Sequence, residues 1–322
     1  MKLGLFINTQ FPEGQNVLSR VPDLREQVRV ARDSGFGSVV FPHHYVTAPL
    51  QMLQITPLMA YLLPDAKGMT IAPGILLLPL LNPVHVAEEA ATLDVLSEGN
   101  YVLGVGLGYR EPEFNAFGIK LAERVPRMTE SIGLMRRLWA EDRVTHHGKF
   151  YSVADAGLSI RPVRGNIPIW VAAQAEPAIK RAARIGDAWL SVPSTTLEEV
   201  AAHMRIYRAA LVEAERHAHE FPIERECYVC TSHKTALEEC RGPLEYKYAA
   251  YAAWGLPGST QLPFEEFVRD RFIIGDAVFV KEEVARYREA VGANHFVMRV
   301  QWPGLEQEKA LRSIRLLGQA LG

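Results

Sequence analysis

Cysteine is scarce in this chain, with three in 322 residues, at Cys227, Cys230 and Cys240. An odd number in so long a chain argues against a disulfide framework and fits a reducing cytoplasm. An excess of one charge sign is also missing. The 35 basic and 37 acidic residues leave a net charge of −2, so the electrostatic footprint of a nucleic-acid partner is absent. No apolar run reaches the length of a membrane span. The opening MKLGLFI reads as a first strand and not as a secretory leader. No low-complexity linker interrupts the chain, and residues 1–322 are expected to form one domain acting on a small or neutral partner.

The dinucleotide fingerprint is absent even where glycines concentrate. The stretch LDVLSEGNYVLGVGLGYREPEFNAFG, residues 93–118, holds Gly104, Gly106 and Gly108. The fingerprint needs glycines at relative positions 1, 3 and 6, opening a helix. Here the sixth position is Tyr109, and Arg110, Glu111, Pro112 and Glu113 read as a loop.

What is present is alternation. Strand-like runs fall at Leu3–Ile7, Ser38–Phe41, Thr70–Leu78, Tyr101–Val105, Ile169–Ala172, Ala188–Ser191, Cys227–Thr231 and His295–Val300. Between them apolar residues recur three and four apart, as in Val125, Met128, Ile132, Met135 and Trp139, which is one stripe of an outer helix. Eight such units without a nucleotide turn predict an α/β fold of the (β/α)8 or TIM-barrel class, with function at the carboxyl ends of the strands. Two intervals exceed what a crossover needs. Residues 141–168, with HHGKFYSV, predict a hairpin or excursion. Residues 232–279 form an insertion after the seventh strand and contain YKYAAYAAWGLPG, in which Tyr248, Tyr251 and Trp254 recur every third residue. That stretch either overhangs the active face as a lid or packs on the barrel rim.

The run FPHHYV places His43 and His44 at the end of the second strand. Imidazole titrates near neutrality and can exchange a proton with a bound molecule. Neighbouring strand residues face opposite ways, which predicts that one of the two points into the site. No third ligand with zinc spacing accompanies them, so no metal is expected. Cys227, Cys230 and His233 resemble half a metal site, but the two thiols would face opposite sides of a strand. Gly74 and Ile75 interrupt the apolar run TIAPGILLLP and signal a bulge or a close approach to something flat. Gln174 and Ala175 lie between the fifth strand and a helix with Pro177 in its first turn, an amino terminus able to receive a phosphate.

Together, ATLDVLSEGNYVLGVGLGYREPEFNAFG from Ala91, ERVPRMTESIGLMRRLW from Glu123, HHGKFYSV from His146 and IPIWVAAQAEPAIKRAARIGDAW from Ile167 resemble the bacterial luciferase-like monooxygenases, also called luciferase-like flavin-dependent oxidoreductases. The resemblance implies a (β/α)8 barrel that binds FMN, or in one branch the 8-hydroxy-5-deazaflavin coenzyme, at its carboxyl face. It implies that Gly104 and Gly106 keep the fourth strand flat beside the flavin ring, and that Gly74 and Ile75 form a bulge with a non-prolyl cis peptide behind that ring. It also implies that Arg124 meets the flavin phosphate and that Gln174 and Ala175 belong to its phosphate loop. Bacterial luciferase has a reactive cysteine where Gly106 stands, and an acidic residue usually precedes the strand-two histidine, where this chain has Pro42 or His43. The expected activity is oxygenation of a small apolar substrate with dioxygen and reduced FMN, drawn from a separate flavin reductase, with His44 or His43 moving the proton. The alternatives are hydride transfer with the deazaflavin and a noncatalytic flavin-binding barrel. A homodimer is expected by analogy.

Overall fold

A computed structural model describes residues 1–255 and 262–322. Eight parallel strands carry the architecture: β1 Lys2–Phe6, β2 Ser38–Phe41, β3 Thr70–Pro73, β4 Leu103–Gly106, β5 Ile169–Ala172, β6 Ala188–Leu190, β7 Pro222–Val229 and β8 His295–Arg299. Ladders join β1 to β2, β2 to β3, β4 to β5, β5 to β6, β7 to β8, and β8 back to β1. The β3–β4 seam is a bridge between Ile71 and Tyr101. At the β6–β7 seam the Glu224 N–H donates to Ser191 Oγ at 3.3 Å. These contacts complete a (β/α)8 barrel, as the alternation predicted.

The strands are buried on both faces, as a parallel sheet wrapped by helices requires. Phe6, Val40, Ala72, Val102, Trp170, Ala188 and Val297 form one cluster of inward side chains. The opposite faces meet the helices in a much larger core. Helix Arg124–Ala140 buries Met128, Ile132, Met135 and Trp139 from the stripe read in the sequence.

Three boundaries differ from the sequence reading. The run expected at Thr70–Leu78 divides: Thr70–Pro73 pairs with β2, the Gly74–Ile75 peptide is cis, and Leu76–Leu77 pairs with β4. The seventh strand begins at Pro222, ahead of the expected Cys227. Its first half carries Glu224, Arg225 and Glu226, which do not look like a strand until their partners inside the protein are known. Third, Glu111–Ala116 is a short helix and not a loop. Pro112 lies in its first turn, where a missing N–H costs nothing.

The first long interval is a hairpin of Val144–His147 and Ser152–Ala156. Glu130 secures its turn, accepting from the N–H groups of Lys149, Phe150 and Tyr151 and contacting His146 at 3.2 Å. The second holds helix His233–Ala253, short helix Phe264–Val268 and an extra strand, Ile273–Gly275, paired with the end of β7. Residues 256–258 of the aromatic stretch lie outside the described residues. The three cysteines are free and buried. Cys227 lies in the main core and Cys230 in a second cluster beneath helix His233–Ala253. Among the described residues no cluster is placed to hold a metal ion, and no helix is long and apolar enough to cross a membrane.

Candidate active site

A cavity of about 370 Å³ opens at the carboxyl ends of the strands. Seven strands contribute to its wall, six of them through their carboxyl ends: His43 and His44 after β2, Gly74 and Ile75 after β3, Gly106 to Tyr109 at β4, Gln174 and Ala175 after β5, Ser191 to Ser194 after β6, Arg299 closing β8, and Glu224 from within β7. Tyr248 and Tyr251 of helix His233–Ala253 complete it. The aromatic insertion therefore forms part of the cavity wall.

Both histidines border the cavity, where the sequence predicted one. The strand ends at Phe41, so the alternation of the pleat no longer governs residues 43 and 44. Their ring nitrogens play opposite parts. His43 Nδ1 accepts from the Leu77 N–H at 3.2 Å, which puts its proton on Nε2. That Nε2 is buried and has no hydrogen-bond partner among the described residues. Burial, aided by the nearby His44, lowers the His43 pKa to about 4, so the ring is neutral around pH 7. His44 Nδ1 lies 3.0 Å from Glu113 Oε1. A carboxylate can only accept, so this contact places a proton on Nδ1, and in the neutral ring Nε2 then carries the lone pair. One neighbour offers a donor and the other an acceptor.

Glu113, fully buried, is the candidate site residue that the sequence reading passed over as loop. Besides His44, its Oε1 accepts from the Tyr45 N–H at 2.9 Å and approaches Arg110 Nη1 at 3.4 Å. Burial opposes its ionisation, yet His44, the Tyr45 N–H and Arg110 together hold its pKa below the ordinary carboxylate value. Arg110 also donates to the carbonyls of Tyr45 and Val46 and lies 4.1 Å from the Trp254 ring centroid. Tyr109, Tyr251 and Trp254 surround His44 with ring centroids 6.0, 6.4 and 5.4 Å away.

The glycines separate into two kinds. A Cβ on Gly104 would meet the Pro73 carbonyl oxygen at 2.0 Å, so close approach of β3 requires this glycine, which is not part of the cavity wall. A Cβ on Gly106 would meet the Ile75 side chain at 2.4 Å; this glycine does border the cavity. Arg124 opens helix Arg124–Ala140 and is not part of the cavity wall; its guanidinium donates to the Leu121 carbonyl at 3.4 Å. The sequence reading missed Arg181, on the helix Glu176–Ile185 that follows Gln174 and Ala175. Burial, then Arg184 and Arg124, lower the Arg181 pKa, and its buried Nε has no partner. No side chain caps that helix at Ala175. Adjacent guanidinium groups beside an uncapped helix amino terminus suit a phosphate. With the flat wall at Gly106 and small residues at Ala172, Ala173 and Ala178, the residues fit a flat ring system whose side chain carries a phosphate. FMN and the deazaflavin coenzyme share both features.

The floor was also illegible in the sequence. Arg299 Nη2 donates to Glu224 Oε1 at 3.0 Å, and its Nη1 lies 3.7 Å from Glu226. Glu226 pairs with Lys247 and accepts from Trp302 Nε1 and, at 3.0 Å, from the Tyr248 hydroxyl. Burial and the neighbouring Glu226 push the Glu224 pKa up to about 7 despite Arg299. Glu226 stays low despite burial, because Lys247 and Arg299 face it.

A family model described as luciferase-like monooxygenase matches residues 1–294. The F420-dependent glucose-6-phosphate dehydrogenase of Microbacterium testaceum is 31% identical over 247 residues, 72% of this chain and 71% of that protein. The solved structure of monooxygenase RslO1 from Streptomyces bottropensis superposes with a TM-score of 0.87 at 24% identity, covering 100% of this chain and 98% of the other. An F420-dependent secondary alcohol dehydrogenase in complex with an F420-acetone adduct gives a TM-score of 0.83 at 20% identity, covering 99% and 98%. At those identities the two structures establish the fold alone.

Proposed function

The chain belongs to the luciferase-like monooxygenase family and is an oxidoreductase; from that premise we propose that it passes a hydride between an alcohol or carbonyl substrate and the 8-hydroxy-5-deazaflavin coenzyme, F420. The observation that carries this reading is the His44–Glu113 pair, with its free Nε2, at the edge of the cavity. The sequence relative named as F420-dependent supports the choice of coenzyme.

When bound, the coenzyme supplies the hydride chemistry, and the chain supplies position and proton handling. The ring would be held by the glycine wall at Gly106 and by Ile75. Arg124, Arg181 and the helix amino terminus after Gln174 and Ala175 would hold the phosphate. His44 Nε2 takes the hydroxyl proton as an alcohol becomes a carbonyl, and Glu113 stabilises the imidazolium that results. In the reverse direction the same nitrogen returns the proton. His43 Nε2–H, neutral and without a partner, donates a hydrogen bond to the substrate oxygen.

The aromatic wall of Tyr109, Tyr251 and Trp254 around His44 favours a second reading. Excluding water at that point also suits oxygenation with reduced FMN delivered by a flavin reductase. Absorbance titration with both coenzymes, followed by a panel of secondary alcohols without oxygen and a panel of aldehydes in air, separates the two. The first reading expects the deazaflavin to bind at least about tenfold tighter than FMN and to bleach with an alcohol in the absence of air. Tight binding of reduced FMN, with aldehyde-dependent oxygen uptake, selects the second.

A further inference from the structure

We infer that the cavity takes an uncharged substrate, and that Glu224 is the residue that decides this by neutralising the guanidinium on the cavity floor. The inference rests on the oxidoreductase reading above and names its substrate class. Arg299 is the one arginine or lysine in the cavity wall among the described residues. Its Nη2 is taken by Glu224 at 3.0 Å, and its Nη1 lies 3.7 Å from Glu226. Lys247, just behind the wall, is fully buried and paired with Glu226. On the floor Arg299 and Lys247 therefore each face a carboxylate, and the third buried cation, Arg225, is turned to the Tyr287 hydroxyl and the backbone carbonyls of Val192 and Glu224.

A phosphate ester brought there would lose its water, find no unpaired cation in the wall among the described residues and face Glu224 directly; burying such a charge unpaired is strongly unfavourable. Arg124 and Arg181 are absent from that wall; they lie near each other, Arg181 on the helix that follows Gln174 and Ala175. The sequence relative that acts on glucose 6-phosphate is thus a guide to the coenzyme and not to the substrate of this chain.

The test titrates glucose 6-phosphate, with glucose as the neutral control, into coenzyme-loaded wild-type protein and into Glu224→Gln, read as heat of binding at about pH 8. At that pH Glu224 is ionised even with its pKa raised to about 7. Wild type is expected to show no saturable heat up to about 10 mM glucose 6-phosphate, and Glu224→Gln to bind it at least about tenfold tighter, with glucose unchanged. Adding Arg299→Gln to Glu224→Gln should abolish the gain. Saturation of wild type below about 1 mM, or no gain in a folded Glu224→Gln, overturns the inference. If Glu224→Gln does not fold, the wild-type arm decides alone. Coenzyme uptake is read separately by absorbance after gel filtration. Protein that takes up neither coenzyme sinks the preceding reading, and the titration is then run in an Arg181→Ala background, where the phosphate cradle is weakened.

Discussion

At the mouth of the cavity Glu113 holds His44, and on its floor Glu226 holds Lys247; both carboxylates are completely buried, yet the two pairs differ in what they leave over. Lys247 is enclosed, and Tyr248 and Trp302 fill the remaining valence of Glu226. His44 retains 14% of its side-chain exposure and keeps one ring nitrogen uncommitted. A buried pair closed on itself fixes structure, whereas one left open on the cavity side can exchange a proton. The difference lies in the partners each element brings. The floor draws on two adjacent strands and a helix, and the mouth on a single turn of helix packed against a strand end.

Replacing one member of each pair tests that contrast. His44→Ala should lower turnover by about 10²–10⁴-fold, with coenzyme affinity by absorbance titration unchanged. Equal loss of binding and rate would make His44 part of the scaffold. Glu226→Gln should act on stability instead, costing about 3–5 kcal/mol in denaturant unfolding because a buried ammonium loses its carboxylate. An apolar replacement of Lys247 in the same protein should recover much of that loss.

A smaller effect separates the two histidines. His43 has a pKa of about 4 in the folded chain, against an ordinary value of 6.5. Between those values the unfolded chain binds a proton that the folded chain does not. Stability is therefore full above about pH 6.5 and declines as the pH falls toward 4, by at most roughly 3 kcal/mol from this group. His43→Gln should flatten that decline in unfolding measured across the interval, and an unchanged slope would assign it to other groups. Smaller again, Arg181→Ala should weaken FMN or deazaflavin binding by about 10–100-fold, the worth of a charged hydrogen bond, while leaving riboflavin, which lacks the phosphate, unaffected. Equal weakening of riboflavin would remove Arg181 from the phosphate cradle.

The mouth was more legible in the sequence than the floor, and the reason is local. His43 and His44 follow an apolar strand directly, so position alone marks them. Gly74 and Gly106 interrupt apolar runs, and an interruption is visible without a partner. Glu113 was hidden by Pro112, which looks like a loop residue until it is placed in the first turn of a helix. Arg181 sits among the charges of an amphipathic helix, a pattern that ordinarily marks the solvated face. The floor depends on strand register: Glu226 lies opposite Arg299 across β7 and β8, 73 residues apart in the chain. Nothing in the local run PIERECYV announces that its carboxylates face inward.

The account stands or falls on whether His44 and Glu113 act as one unit. The direct measurement is a double-mutant cycle in single-turnover bleaching of the deazaflavin, using the best alcohol of the panel, for His44→Ala, Glu113→Gln and their combination. The pair predicts that the double variant is slowed no more than about threefold beyond His44→Ala alone. Losses that multiply, with Glu113→Gln as harmful without His44 as with it, would contradict the account.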